Sequence, residues 1–297
     1  MNKSKARSAI GCVSPVLLVG GSGMLGRSWR RLLDEQRINY TAPSSRQLDL
    51  TQALSIKHHL EKHPRVILNC AAWTDVDGAE TNSALADQLN GSAVGELAKQ
   101  CEAIEATLVH YSSDYVFPGS GSRPYQVQDP KMPSNAYGRS KWQGEISINQ
   151  SHSRFLLIRT SWLYAPWGKN FVRSIASRAQ QQDQLKVVND QRGRPTSTDH
   201  LARCTLRLLE RSAVGTYHVT DGGDCTWYDF ASEIVRHINP SCCVEPCTSN
   251  QYPRPAKRPA YSVLDLSQTE AAIGPMPHWK TNLADVLQRL EPLCESS

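Results

Sequence analysis

The run Val16-Leu17-Leu18-Val19 passes directly into Gly20-Gly21-Ser22-Gly23-Met24-Leu25-Gly26, and no other stretch restricts the fold of this chain so tightly. Four successive apolar residues without polar alternation match a strand buried on both faces of a parallel sheet. Leu25, Trp29, Leu32 and Leu33 then recur at helical spacing. In a strand–glycine loop–helix unit the three spaced glycines have separable tasks. Gly20 permits the tight turn, Gly23 lets the backbone approach a pyrophosphate, and Gly26 lets helix and strand pack closely. Free amides and the helix dipole at the following N-terminus favour phosphate. Gly20, Gly23, Met24, Leu25 and Gly26 are therefore expected at a dinucleotide site. A purely structural βα turn is the plainer alternative, because glycine turns are common.

The rest of the chain supports this reading. Ala53, Ile56 and Leu60 mark a helix and Val66–Leu68 a buried strand. Leu85, Leu89, Ala93 and Leu97 step by four along another helix, and Thr107–Tyr111 follows as a strand. Ser140–Ile148 reads as helix and Phe155–Ile158 as strand. Such alternation predicts an α/β fold with a doubly wound parallel sheet. After Thr160 prolines gather and loops lengthen, with helical segments near Phe171–Gln181, Thr198–Arg211, Thr226–Ile238 and Asn282–Leu290. Residues 15–160 are thus expected to form the nucleotide-binding domain. Residues 161–297 are expected to form mainly a smaller substrate lobe interleaved with it.

Composition removes other classes. With 297 residues, 39% of them hydrophobic, the chain can build a sizeable core. A net charge of +5 is too mild for a dedicated nucleic-acid binder and suits a small anionic ligand. Nine scattered cysteines, an odd number, argue for a reducing compartment and hence a cytoplasmic location. Cys242, Cys243 and Cys247 cluster, but without a second CxxC or a paired histidine motif they predict no metal site. No apolar run is long enough to span a membrane. Lys3, Lys5 and Arg7 before an apolar stretch imitate a signal peptide, yet Pro15 interrupts it, and residues 1–14 read as a short frayed leader.

Two further groups of residues carry chemistry. The strand expected near Ile38–Ala42 ends in Pro43-Ser44-Ser45-Arg46, with no acidic residue before Asp49. NAD sites usually place a carboxylate here for the ribose 2′-hydroxyl. Arg46, helped by Ser44 or Ser45, is instead suited to a 2′-phosphate, which favours NADPH and leaves NADH open; the bland alternative is a solvated arginine. Downstream, Tyr137 and Lys141 stand four apart, so they share a helix face. Ser113 follows a strand, where a doubly wound sheet keeps its ligand. A carbonyl that receives hydride needs a proton donor, and a nearby ammonium should lower the tyrosine pKa. Ser113 would steady the developing oxyanion.

Several segments then resemble one family. They are Asn69-Cys70-Ala71-Ala72-Trp73-Thr74-Asp75-Val76-Asp77, Ser112-Ser113-Asp114-Tyr115-Val116-Phe117, Arg159-Thr160-Ser161-Trp162, Asn189-Asp190-Gln191-Arg192-Gly193-Arg194-Pro195-Thr196 and Arg254-Pro255-Ala256-Lys257-Arg258-Pro259. Together with the Gly-x-x-Gly-x-x-Gly loop they resemble the dTDP-4-dehydrorhamnose reductases of the extended short-chain dehydrogenase/reductase superfamily. The resemblance implies a Rossmann-like fold and NADPH- or NADH-dependent reduction of a 4-keto group on a dTDP-linked deoxysugar. It assigns catalysis to Ser113, Tyr137 and Lys141. Cofactor contacts fall to Ser45, Arg46, Asp49, Leu50, Ala71, Ala72 and Asn90, beside the glycine loop, Tyr137 and Lys141. Substrate contacts fall to Asp114, Tyr115, Trp162 and Arg258. Mg2+ and a homodimer are left open, since a lysine frequent in the family at position 78 is here glycine. A reductase of another dTDP-ketosugar (a dihydrostreptose-forming type) and a non-catalytic NADP-binding regulatory subunit are the alternatives.

Overall fold

A computed structural model describes residues 13–291. Of the leader read over 1–14, only Val13 and Ser14 lie within that range. Val13 is buried in the same apolar core as Val16, so the packed body includes it.

Six strands form one parallel sheet: β1 (Val16–Val19), β2 (Tyr40–Thr41), β3 (Val66–Asn69), β4 (Thr107–Ser113), β5 (Phe155–Thr160) and β6 (Gly215–His218). Their spatial order is β6-β5-β4-β3-β1-β2. The chain therefore winds outward in both directions from the β1/β3 junction, as the alternating pattern predicts. Neighbouring residues on each strand face opposite cores. Val16, Leu18, Leu68 and Ile158 pack with α1 (Met24–Glu35) on one side. Leu17, Val19, Ile67 and Leu157 pack with α2 (Ala53–Leu60) and α3 (Ala93–Ala103) on the other. Because both faces are covered, the strands read as unbroken apolar runs rather than alternating ones.

Two differences from the pattern have clear causes. Leu85 was expected on the same apolar face as Leu97, yet it is 52% exposed. A π-turn at Gln88–Ser92 adds a residue to the winding and rotates the segment before it. The helix read from Ser140 begins at Ala136 instead, giving α4 (Ala136–Gln150), because the Asn135 side chain accepts the Gly138 amide at 2.8 Å.

Beyond Thr160 the chain divides its allegiance. Helix α5 (Thr198–Glu210) and β6 return to the sheet body, where Leu201, Ala202 and Leu208 join the α1 core. Helices Phe171–Gln181, Trp227–Ile238 and Trp279–Gln288 enclose a separate core that includes Tyr164, Ile175, Phe230 and Leu283. The site lies between these two parts of one chain.

Candidate active site

A cavity of about 700 Å³ opens along the C-terminal ends of four strands, with Val19, Asn69, Ser113 and Thr160 on its wall. At one end stands the glycine loop. Gly20 has φ +75°, and a Cβ there would lie 2.6 Å from the Ala71 nitrogen. A Cβ on Gly26 would lie 2.1 Å from the Gly20 oxygen. Both glycines are demanded by the packing of the protein itself. Gly23 is not: its Cβ would meet only the Gly20 oxygen, at an ordinary 3.5 Å. The protein has room for a side chain there, and the bare backbone leaves a ligand free to approach from the cavity. Gly23 is also the N-cap of α1, whose first turn has no side-chain cap and no acidic residue. Its amides are left to an anion. These residues fit a pyrophosphate, with Met24 and Leu25 at the helix start also on the cavity wall.

Farther along the wall, β4 ends at Ser113 and α4 begins with Tyr137 and Lys141 one turn apart. The Ser113 hydroxyl donates to Asp114 Oδ1 at 2.9 Å and accepts the Tyr115 amide at 3.2 Å. Tyr115 meets Tyr137 edge to face, with centroids 5.6 Å apart. Burial sets the electrostatics here. It pushes the Tyr137 phenol up to about 12, against a hydrogen bond with Ser113 and with help from the Asp114 charge. It pushes Lys141 down to about 8, opposed by Glu145. Asp114 rises to about 6, again by burial, against hydrogen bonds from Ser262 and Ser113. Burial, and not a neighbouring ammonium, thus sets the Tyr137 phenol, opposite to the direction expected from Lys141, and the phenol keeps its proton at neutral pH.

Fifteen residues named from the sequence share this cavity: Gly20, Gly23, Met24, Leu25, Ser45, Asp49, Leu50, Ala71, Ala72, Ser113, Asp114, Tyr115, Tyr137, Lys141 and Trp162. Four do not line it. Gly26 lies behind the loop as a packing glycine. Arg46 is exposed beside the wall residue Ser45. Asn90 is fully buried and occupied: its oxygen accepts the Trp73 amide at 2.9 Å, and its nitrogen donates to Trp73 O and Ser140 Oγ. Arg258 turns both terminal nitrogens to Asp77, at 2.8 and 2.9 Å, so the guanidinium expected on the substrate is engaged with a carboxylate. Arg159, at the head of the Arg159–Trp162 segment, is bonded to Glu145, while Thr160–Trp162 line the cavity.

Two wall residues, Lys169 and Trp227, escaped the sequence reading, and Arg30 lies near the wall without lining it. Arg30 reaches the end of β2, donating to Ala42 O at 3.2 Å beside Gly21. Lys169 lines the cavity from the Gly168-Lys169-Asn170-Phe171 segment. Trp227 stacks on Trp162 with centroids 3.6 Å apart and planes 10° from parallel. Trp162 holds a left-handed φ of +46°, and a Cβ on Gly193 would fall 2.7 Å from its indole. That explains the glycine in Asn189–Thr196, a signal visible only once the indole is placed. Among the described residues no group of three or more His, Cys, Asp or Glu side chains could hold a metal, and no helix is long and apolar enough to cross a membrane.

The model of the RmlD substrate binding domain family matches residues 14–291. A dTDP-4-dehydrorhamnose reductase of Streptomyces griseus is 41% identical over 278 residues, 91% of each chain. A dTDP-4-keto-6-deoxy-D-glucose reductase of Streptomyces niveus is 37% identical, covering 92% of this chain and 96% of the relative. The crystal structure of Bacillus anthracis dTDP-4-dehydrorhamnose reductase in complex with NADP superimposes with a TM-score of 0.89 at 31% identity, covering 92% of this chain and 98% of that one. On cavity, sheet topology and similarity along nearly its whole length, this chain belongs to the dTDP-4-dehydrorhamnose reductase family.

Proposed function

We propose that the protein is an NADPH-dependent reductase of the 4-keto group of a dTDP-linked deoxysugar, dTDP-4-dehydro-L-rhamnose in the first instance. The observation that carries this reading is the convergence of Ser113, Tyr137 and Lys141 on the wall that also holds the uncapped start of α1. A reduced nicotinamide supplies hydride when bound. The protein's own residues handle the oxygen. Ser113 turns its hydroxyl from Asp114 to the ketone, and Tyr137 delivers a proton as negative charge develops. A phenol held protonated suits this direction of reaction, since it arrives at each turnover as a donor. Lys141 steadies the phenolate that remains. The stacked Trp162 and Trp227 give the sugar a rigid apolar wall.

Purified protein should oxidise NADPH when given freshly generated dTDP-4-dehydro-L-rhamnose and yield the rhamnose nucleotide. Binding of NADPH without turnover of any dTDP-ketosugar would replace this reading with the regulatory one. Turnover restricted to another dTDP-ketosugar would redirect it.

Cofactor choice has its own test. If Arg46 swings over Ser45 to a 2′-phosphate, Arg46→Ala weakens NADPH roughly 10- to 100-fold and leaves NADH nearly untouched, because a charge-assisted hydrogen bond is worth about 1.5–3 kcal/mol. Titration of both cofactors checks this, and Arg30→Ala is the comparison. Equal losses for NADPH and NADH in Arg46→Ala would transfer the role away from Arg46.

The Arg258–Asp77 pair sets a second test. Arg258→Ala should raise KM for the sugar nucleotide and spare that for NADPH. If the pair works by holding the 254–259 loop in place, Asp77→Asn raises the same KM. If Arg258 itself takes the diphosphate, Asp77→Asn frees the guanidinium and lowers it. Steady-state kinetics of the two variants separates the cases.

A further inference from the structure

Behind Lys141 a line of hydrogen-bonding groups leads back to the backbone after β3. Lys141 Nζ lies 3.4 Å from His110 Nε2. His110 Nδ1 lies 3.1 Å from Asn69 Nδ2, and Asn69 Oδ1 accepts the Ala71 amide at 3.2 Å. Asn69, His110 and Lys141 are each at most 2% exposed, so bulk water does not compete for these contacts.

The polarity of this line is fixed from its far end. A backbone N–H only donates, so Asn69 turns its oxygen to Ala71 and its amide nitrogen to His110. Nδ1 of His110 must then accept, and a neutral imidazole with an accepting Nδ1 carries its proton on Nε2. That N–H points at Lys141. An ammonium offers no lone pair, so a charged Lys141 faces another donor, whereas the neutral amine accepts from it.

We propose that Asn69 and His110 form a polarity-locked pair that favours the neutral amine of Lys141, so that Lys141 returns a proton to Tyr137 after each turnover. The proposal rests on the reductase reading and makes His110 a positioning residue that acts through Lys141. Tyr137 is left as a phenolate once its proton has gone to the sugar oxygen. An N–H bond of the Lys141 ammonium breaks as the phenol O–H forms, and the resulting amine accepts His110 Nε2–H until a solvent proton restores the ammonium. No oxidant or reductant enters these steps. The groups facing Lys141 divide clearly. Glu145, one turn on in α4, favours the charged form; His110 of β4 opposes it; Tyr137 and Ser113 on the cavity side are neutral, with Asp114 behind them. Burial and then the Lys141 charge hold His110 well below the ordinary histidine range, so it stays a neutral N–H donor. Burial already lowers Lys141 to about 8, opposed by Glu145, which brings the neutral amine within reach near neutral pH.

The test uses the full chain without cofactor, labelled with 15N in histidine and lysine side chains. NMR should show His110 as the Nε2–H tautomer and Lys141 titrating near 8. Asn69→Asp keeps the side-chain shape and the Ala71 bond but gives Nδ1 an acceptor, which moves the ring proton to Nδ1 and turns a lone pair to Lys141. The Lys141 midpoint should rise by about one unit or more, a tenfold gain in proton affinity. His110→Gln, which adds no charge and can offer Lys141 an oxygen, should raise it too. An Nδ1–H tautomer in the unmodified protein, or a Lys141 midpoint unmoved in His110→Gln, overturns the proposal without touching the reductase reading. The expected tautomer in a protein that reduces no dTDP-ketosugar would overturn that reading and the reprotonation step with it.

Discussion

Tyr137→Phe is expected to lower kcat about 10²- to 10⁴-fold, the range a positioned proton donor contributes, while NADPH affinity hardly changes. The reason lies in what the substitution removes. Phenylalanine keeps the ring that meets Tyr115 edge to face, so the packing at the start of α4 survives. Only the hydroxyl is lost, and Ser113, which bonds Asp114 at 2.9 Å, has a far less acidic proton to offer. Lys141→Met should behave differently, damaging both turnover and cofactor binding, because the resemblance gives Lys141 a part in both and it lines the cavity with Tyr137. Single-turnover rates with saturating NADPH, beside the Kd for NADPH, separate the two patterns. Near-normal turnover in Tyr137→Phe would remove tyrosine from the mechanism.

The lining of the cavity was legible from sequence where it depended on local backbone geometry. A strand, a glycine loop and a helix in that order dictate where phosphate goes, and a Tyr-x-x-x-Lys on a helix dictates one shared face. What stayed hidden was decided by partners distant in sequence. Arg258 reads from the resemblance as a substrate contact, but its carboxylate partner, Asp77, lies 181 residues away. Asn90 looked like a cofactor ligand through the resemblance, yet its amide is consumed by Trp73 and Ser140. The lysine neighbour of Tyr137 is legible in sequence, whereas the burial that raises its phenol exists only in the folded chain. The parallel sheet and its two covered faces followed the apolar pattern; the π-turn at Gln88–Ser92, with no glycine or proline at its start, left no mark in it.

The second large effect concerns stability and comes from the same helix. Tyr137, Lys141 and Glu145 step by four along α4, and Glu145 anchors that face to the sheet. Its carboxylate takes Arg159 Nη2 at 2.7 Å and Nε at 2.9 Å, and accepts the Ser112 hydroxyl. Arg159 completes itself on Val127 O at 2.9 Å. Glu145 and Arg159 are 0% and 4% exposed, so neither charge can be rehydrated if its partner goes. Glu145→Ala should therefore destabilise the fold by about 3–5 kcal/mol, the cost of stranding a buried ion. That is a large share of the roughly 5–15 kcal/mol a domain possesses, and it should lower Tm by on the order of 10 °C. Glu145→Leu combined with Arg159→Met removes both charges and should recover at least half of the loss, because apolar replacement of a buried pair is often close to neutral. Chemical denaturation of the wild type, the single variant and the double variant tests this. A double variant no more stable than Glu145→Ala would mean that hydrogen bonds to Ser112 and Val127, rather than the paired charges, fasten α4 at the register that brings Tyr137 and Lys141 to the cavity.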